Sequence, residues 1–129
     1  MAKRRVVLDT SFLIACAEAK IDYFSELERV LAFAYELVVP EKALLELQRT
    51  AAQRKKEAVA IARTLLKKKK VAVLEGNGRS VDEIILGLVK EDKTIVVATI
   101  DAALRRRLKL RGVDTVVVRQ RKYLDFQKA

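Results

Sequence analysis

Short apolar runs recur along the chain without polar alternation. Five of them are rich in β-branched residues, and they cover residues 5–9, 36–40, 71–75, 94–99 and 114–119. A run of this length and composition predicts a strand whose two faces are both covered, as in a parallel sheet. The pattern therefore favours a sheet that lies between layers of helices.

Segments of helical period separate these runs. They cover residues 10–19, 22–34, 41–69 with a break or bend near residue 50, 80–91 and 101–111. Strands that alternate with helices imply right-handed crossovers and parallel pairing. We predict one α/β domain over residues 1–129, a three-layer α/β/α sandwich with a central parallel sheet of about five strands. Gly76 and Gly78 mark the clearest loop, and the "RGVD" segment is expected to end the last helix.

The composition of the chain indicates its cellular compartment. The chain has 129 residues, of which 51% are hydrophobic and 34% charged, as expected of a folded domain with a core and a solvated surface. Its single cysteine, Cys16, lies in an apolar stretch and has no partner within the chain, which favours a reducing compartment. No apolar run reaches the roughly 18 residues of a membrane span, and the N-terminus turns acidic too early for a signal peptide. These features predict a cytoplasmic protein without a membrane association.

The charge balance is strongly basic. Lys and Arg number 27 against 17 Asp and Glu, a formal net charge of +10, and the cations are clustered. Heat-adapted proteins also have highly charged surfaces, and the single Met and single Cys fit such a thermophile-like composition. Ion-pair networks need both signs, however, so an excess of one sign favours nucleic acid as a partner.

The absence of histidine narrows the chemistry. It excludes Ser-His-Asp hydrolysis, Cys-His chemistry and ordinary zinc sites, and leaves carboxylates as the main catalytic candidates. Asp9 follows the first predicted strand and Asp101 the fourth, so both are expected at the sheet edge where ligands collect. Each acid also precedes a helix, and a role as helix N-cap is the alternative for each.

The helix that begins near residue 80 carries two neighbouring acids. Ser80 and Glu83 have the spacing of a capping box, which gives Glu83 a structural role. Asp82 instead shares a helix face with the apolar residues Ile85 and Val89, so we expect it to point inward. The alternative is a favourable charge in the first helical turn.

Glu46 is the weakest candidate from periodicity. It lies on one helix face with Lys42, Arg49 and Gln53, a row typical of an ordinary solvated surface. Spacing alone does not favour it as a site residue.

Four segments nevertheless resemble the acidic motifs of PIN domains in order and spacing. They are "VVLDTSFL" with Asp9, "VVPEKALLELQ" with Glu46, "GRSVDEIIL" with Asp82 and "VVATIDAALRRRL" with Asp101, and the resemblance covers about residues 5–124. The chain is most similar to the archaeal and eukaryotic branch typified by Fcf1, the small-subunit ribosomal RNA processing factor. The segments "KIDYF", "RGV" and "RKYL" also have counterparts in that branch.

The resemblance implies an α/β/α nuclease that depends on Mg²⁺ or Mn²⁺ and acts mostly on RNA. It assigns catalysis and metal binding to Asp9, Glu46, Asp82 and Asp101, with Asp9 and Asp101 expected as inner ligands. Many family members have Asn where this chain has Ser11, and Asn where it has Ile100. Supporting roles are expected for Thr10, Ser11 and Thr99. The RNA phosphates are expected to contact the basic residues that follow the fourth acid, namely Arg105, Arg106, Arg107, Lys109 and Arg111.

The sequence thus predicts a metal-dependent endoribonuclease, with ribosomal RNA processing as the first candidate role. One alternative is a non-catalytic PIN-fold RNA-binding subunit of a ribosome-assembly complex. Another is a toxin-type PIN ribonuclease that a partner antitoxin neutralises. Homodimers are frequent among similar proteins, which favours a homodimer here.

Overall fold

A computed structural model describes residues 3–53, 55–69, 71–76 and 78–129, and for residues 51–53 it describes the backbone only. Strands and helices alternate through most of the chain. The strands are β1 Arg4–Leu8, β2 Tyr35–Pro40, β3 Ala72–Leu74, β4 Val96–Ala98, β5 Thr115–Arg119 and β6 Tyr123–Gln127. The helices are α1 Thr10–Ala19, α2 Tyr23–Val30, α3 Glu41–Gln53, α4 Lys56–Lys68, α5 Val81–Glu91 and α6 Ala102–Leu110.

The strands form one sheet in the order β3-β2-β1-β4-β5-β6. The first five are parallel, and Val7 of β1 pairs with Val38 of β2 and with Val97 of β4. The chain first moves from β1 towards β3 and later from β4 towards β6, so the direction reverses between β1 and β4. Right-handed crossovers then place α1 to α4 on one face of the sheet and α5 and α6 on the other. The predicted α/β/α sandwich is confirmed.

The centre of the sheet is covered on both faces, as the apolar runs predict. Val6, Val7, Val96 and Val97 are fully buried. The same expectation is wrong for β3, where Val73 is 52% exposed. β3 is a three-residue edge strand that pairs with β2 alone, so its outer face is not covered to the same extent.

The sheet contains one strand, β6, that the hydrophobic pattern does not predict. β6 runs antiparallel to β5 after a tight turn in which Gln120 and Arg121 have positive φ angles of 52° and 54°. The side chains of α2 hold this strand: Glu26 Oε1 accepts from the backbone N–H of Leu124 at 2.9 Å, and Arg29 Nη2 donates to the Leu124 carbonyl at 2.9 Å. The sheet therefore has six strands rather than about five, and the sixth is antiparallel.

Other sequence predictions agree closely with the structure. α1 has the predicted bounds, and the long helical segment divides into α3 and α4 a few residues after the expected position. Gly112, with φ of 74°, ends α6 in the left-handed conformation that glycine adopts without strain. Burial raises the pKa of the Cys16 thiol to about 12, so this side chain behaves as a small apolar group. None of the helices in the described ranges is both long and apolar enough to cross a bilayer.

Candidate active site

Asp9 lies immediately after β1 and is 4% exposed. It occupies the N-cap position of α1, yet its side chain makes no capping hydrogen bond. Its Oδ2 instead accepts from the hydroxyl groups of Ser11 at 2.6 Å and Thr99 at 2.7 Å. The capping alternative therefore fails for Asp9, because the carboxylate is turned towards the end of β4 rather than towards its own helix.

Backbone N–H groups hold both hydroxyl groups in place. Thr99 Oγ1 accepts from the Asp101 N–H at 3.1 Å, and Ser11 Oγ accepts from the Ile100 N–H at 3.3 Å. Because each hydroxyl oxygen accepts from a backbone N–H, its own proton is free to point towards Asp9. Ser11 is thus sufficient to contact the carboxylate of Asp9, two residues before it.

Asp101 combines two roles. Its Oδ1 accepts from the backbone N–H groups of Ala103 at 2.9 Å and Leu104 at 3.1 Å, so the predicted N-cap of α6 is present. Within the described residues Oδ2 has no hydrogen-bond donor, which leaves one carboxylate oxygen for another contact. Asp101 begins α6 at the end of β4, the strand beside β1.

Glu46 reaches the same region from α3. Thr10 Oγ1 donates to Glu46 Oε2 at 3.0 Å, and the Glu46 side chain is half-buried. The row of Glu46 with Lys42 and Arg49 indicates a solvated face, but the contact with Thr10 joins it to the first turn of α1. This contact spans 36 residues of sequence, so helix periodicity could not predict it.

Asp82 and Glu83 differ as expected. Ser80 Oγ accepts from the Glu83 N–H at 3.2 Å, and the exposed Glu83 carboxylate accepts from the Arg79 N–H at 2.7 Å, which gives Glu83 its structural role. Asp82 is half-buried on the inward side of α5. The two acids are adjacent in sequence, and only Asp82 faces the interior.

The charge around Asp82 shows which acids it faces. Burial raises the pKa of Asp82, the charges of Asp9, Asp101 and Glu46 raise it further, and the Arg107 guanidinium lowers it. Since Coulomb interactions decay with distance, Asp9, Asp101 and Glu46 each lie near enough to Asp82 for their charges to act on it, and we refer to these four residues as the acid cluster. The structure brings together all four acids that the sequence singles out, at the point where the strand order reverses and ligands bind in sheets of this type.

The donor set suits a hard divalent cation. All candidate ligands are carboxylate or hydroxyl oxygens, which Mg²⁺ and Mn²⁺ prefer. In the described part of the chain, no three acidic or cysteine side chains are arranged to hold a metal ion by themselves. The arrangement fits an ion with one or two direct carboxylate contacts and a retained water shell, which is how Mg²⁺ is usually bound.

The basic residues of α6 do not form one patch. Arg107 lies on the side of the acids, where its charge acts on Asp82. Arg105 turns the other way and donates from Nη2 to Gln127 Oε1 at 3.1 Å. Arg106 and Lys109 are exposed and line a groove with Lys128, while Arg111 lies exposed at the end of the helix. Sequence analysis missed Gln127 and Lys128, because it did not recognise β6.

Comparison with known proteins agrees with the fold. Residues 6–121 match the model of the family described as PIN like domain, and the chain belongs to this family. It is similar to Ribonuclease VapC4 of Methanocaldococcus jannaschii, with 34% identity over 125 residues that cover 95% of each chain. Its fold is that of the PIN domain endonuclease Utp24, with a TM-score of 0.81 at 23% identity over 97% of this chain and 92% of that one. Neither similarity singles out the Fcf1-like branch, which stays a prediction.

Proposed function

We propose that the protein is a metal-dependent endoribonuclease whose site consists of Asp9, Glu46, Asp82 and Asp101. The observation that carries the proposal is the buried Asp9 carboxylate, which caps nothing and accepts from Ser11 and from Thr99, the residue whose hydroxyl also holds the Asp101 N–H. Burial and the charges of the three other acids raise the pKa of Asp82, which agrees with it. Like charges that converge in a partly buried site oppose folding. Such a cluster is expected where a cation or a reaction uses it.

A phosphodiester substrate is anionic, so four carboxylates would repel it unless a cation lay between them. In this proposal Asp9 and the free oxygen of Asp101 would hold the Mg²⁺ or Mn²⁺ ion, and Asp82 and Glu46 would complete or orient the site. The bound cation would lower the pKa of a water ligand and offset charge on the scissile phosphate. Thr99 and Ser11 keep the Asp9 carboxylate oriented, and Thr10 does the same for Glu46.

Three observations support RNA as the substrate. The net charge of +10 attracts a polyanion. Arg107 lies beside the acid cluster, where it can contact a phosphate next to the scissile bond. The similar protein from Methanocaldococcus jannaschii is named a ribonuclease.

The second candidate function is a non-catalytic RNA-binding subunit with the same fold. Helix capping accounts for Asp101 and would suffice in such a subunit. It does not account for Asp9, which caps nothing and lies buried under two hydroxyl donors. The enzyme is therefore the better explanation of the full acid set. Roles in ribosomal RNA processing or as a toxin with an antitoxin partner use this same site.

Cleavage of a circular single-stranded RNA tests the proposal, because only an endonuclease can open a circle. We expect linear products with Mn²⁺ or Mg²⁺ and none with chelator. Asp9→Asn and Asp101→Asn should each lower the rate by at least about 100-fold, as expected when a group acting on the reacting atoms is removed, while RNA binding is retained. Glu83→Gln is the matched control and should cut almost normally. RNA binding by the parent without cleavage under any metal condition would favour the non-catalytic subunit.

A further inference from the structure

A groove of about 540 Å³ runs along α6 on the side away from Arg107. Its walls come from α6 and from the end of β6, and its floor from the start of β5. Among the residues that line it are Ala102, Arg106, Lys109, Thr115, Gln127 and Lys128. The groove exists because β6 returns antiparallel beside β5, with Gln127 paired to Thr115.

The groove begins next to the acid cluster. Ala102, at one end, directly follows Asp101. From Ala102 to Lys109 the helix rises by about 10 Å, at about 1.5 Å per residue. A strand of RNA that passes from the acids around the start of α6 would therefore meet the groove at Ala102.

The lining of the groove is cationic on both sides. Arg106 and Lys109 are exposed on α6, and Lys128 is exposed opposite them. None of the side chains that line the groove in the described ranges is acidic, and the last residue, Ala129, also lines it. Asp114 lies beside one end of the groove, where its Oδ1 accepts from the N–H of the lining residue Ala129 at 2.9 Å, and its Oδ2 is paired with Arg4 at 3.1 Å. The groove is thus suited to an anion that contacts both walls.

Arg105 gives the groove a fixed polar wall. Its Nη2 donates to Gln127 Oε1, which connects α6 with β6, and its buried Nε has no hydrogen-bond partner among the described residues. The contact with Gln127 limits the motion of the guanidinium of Arg105, which is one of the residues that line the groove.

From this arrangement we propose that the groove is a second phosphate-binding subsite, which holds the single-stranded RNA backbone that adjoins the scissile bond. The inference rests on the proposed function and extends it, because it assigns Arg106, Lys109 and Lys128 to the flanking strand and leaves Arg107 to the phosphate at the acids. The groove has the volume of a small-ligand pocket, about 300–1,000 Å³.

Binding of fluorescein-labelled single-stranded RNA to the Asp101→Asn protein in chelator tests this inference without cleavage. The groove variant replaces Arg106, Lys109 and Lys128 by Gln. The matched control replaces Lys56, Arg63 and Lys67 by Gln; these are three exposed cations of α4 on the opposite face of the sheet, so both proteins lose the same charge. Circular dichroism and melting curves check that both variants fold.

For a dodecanucleotide we expect the groove variant to bind at least tenfold more weakly, while the control keeps most of its affinity. The log-log salt dependence should flatten by about 0.7 for each phosphate that the groove variant no longer neutralises. The decrease in affinity should be smaller for a tetranucleotide, whose three internucleotide phosphates are too few to contact Arg107 and all three groove cations at once.

Three outcomes would overturn the inference. Equal decreases in the groove and control variants would assign the effect to overall charge. Unchanged affinity in the groove variant would show that RNA does not bind in the groove. An equal decrease for the tetranucleotide would indicate a site for a short anion instead of a strand. In each case metal-dependent cleavage of circular RNA by the parent would still stand, whereas a parent that neither binds nor cuts RNA would refute the proposed function itself.

Discussion

Thr99 donates a 2.7 Å hydrogen bond from Oγ1 to Oδ2 of Asp9, and the two residues are 0% and 4% exposed. This bond joins the ends of β4 and β1, which are adjacent in the sheet although 90 residues separate the two side chains in the sequence. The same hydroxyl accepts from the Asp101 N–H. Thr99 therefore positions two of the four acids at once.

Replacement of Thr99 by Val should slow cleavage and destabilise the fold. Valine has nearly the same shape but neither donates to Asp9 nor accepts from Asp101, so a buried carboxylate and a backbone N–H each lose a partner. We expect unfolding to become easier by about 1–3 kcal/mol. Thr99→Ser keeps the hydroxyl and should restore most of the cleavage rate. A valine variant as active as the parent would show that this hydroxyl has no positioning role.

Asp82→Asn should stabilise the metal-free protein at neutral pH. The folded pKa of Asp82 is raised by burial and neighbouring acids, so its ionised form is disfavoured in the folded state. The parent therefore loses stability as the pH rises from the pKa of Asp82 in the unfolded chain, about 3.9, through its higher pKa in the folded protein. The loss persists above that higher pKa. In chelator, the melting temperature of Asp82→Asn relative to the parent should increase from about pH 4 towards neutral pH.

Glu83→Gln is the matched neighbour for that experiment. Glu83 is exposed and lies in the first turn of α5, where a negative charge stabilises the helix. Its replacement should lower stability by about 0.3–1 kcal/mol. If Asp82→Asn behaved in the same way, Asp82 would serve only its own helix, and the acid cluster would lose its main support.

Mn²⁺ should raise the melting temperature of the parent more than that of Asp82→Asn or Asp9→Asn. A ligand that binds the folded state stabilises it by RT ln(1 + [L]/Kd), about 2.7 kcal/mol at 100 times Kd. Removing a carboxylate weakens binding and so reduces the shift. A titration of melting temperature against Mn²⁺ measures this, and equal shifts in all three proteins would place the cation elsewhere.

Cys16 should be inert to thiol reagents in the folded protein. Burial raises its pKa to about 12, so the reactive thiolate is scarce at mildly alkaline pH and the sulfur is covered. Labelling with a chromogenic disulfide should follow global unfolding in urea. Rapid labelling without denaturant would show that α1, which covers the edge of the site, opens locally.

The sequence predicts local features of the site better than distant ones. The capping box at Ser80 fixes the phase of α5, so the inward direction of Asp82 follows from the helical period. The apolar runs place the central strands, and with them the acids that follow β1 and β4. Glu46 is different, because its position depends on Thr10, a contact that no local pattern contains. The family motifs were needed to select it.

The C-terminal strand β6 shows a second limit of prediction from the sequence. β6 has only five residues with mixed burial, and a basic turn precedes it, so its pattern resembles a loop. Contacts with β5 and with Glu26 and Arg29 of α2 hold it in the sheet. Those contacts are formed only in the folded chain, and the groove beside α6 could not be predicted without them.

The position of β4 also affects the protein during its synthesis. The chain reaches this strand only at residue 96, yet β4 lies between β1 and β5 in the middle of the sheet. A growing polypeptide that ends at residue 95 already contains Asp9, Glu46 and Asp82, but it lacks Thr99, Asp101 and the strand that sets Asp9 in place. If the protein cuts RNA as proposed, the nascent chain is unable to do so until β4 and Asp101 have been synthesised.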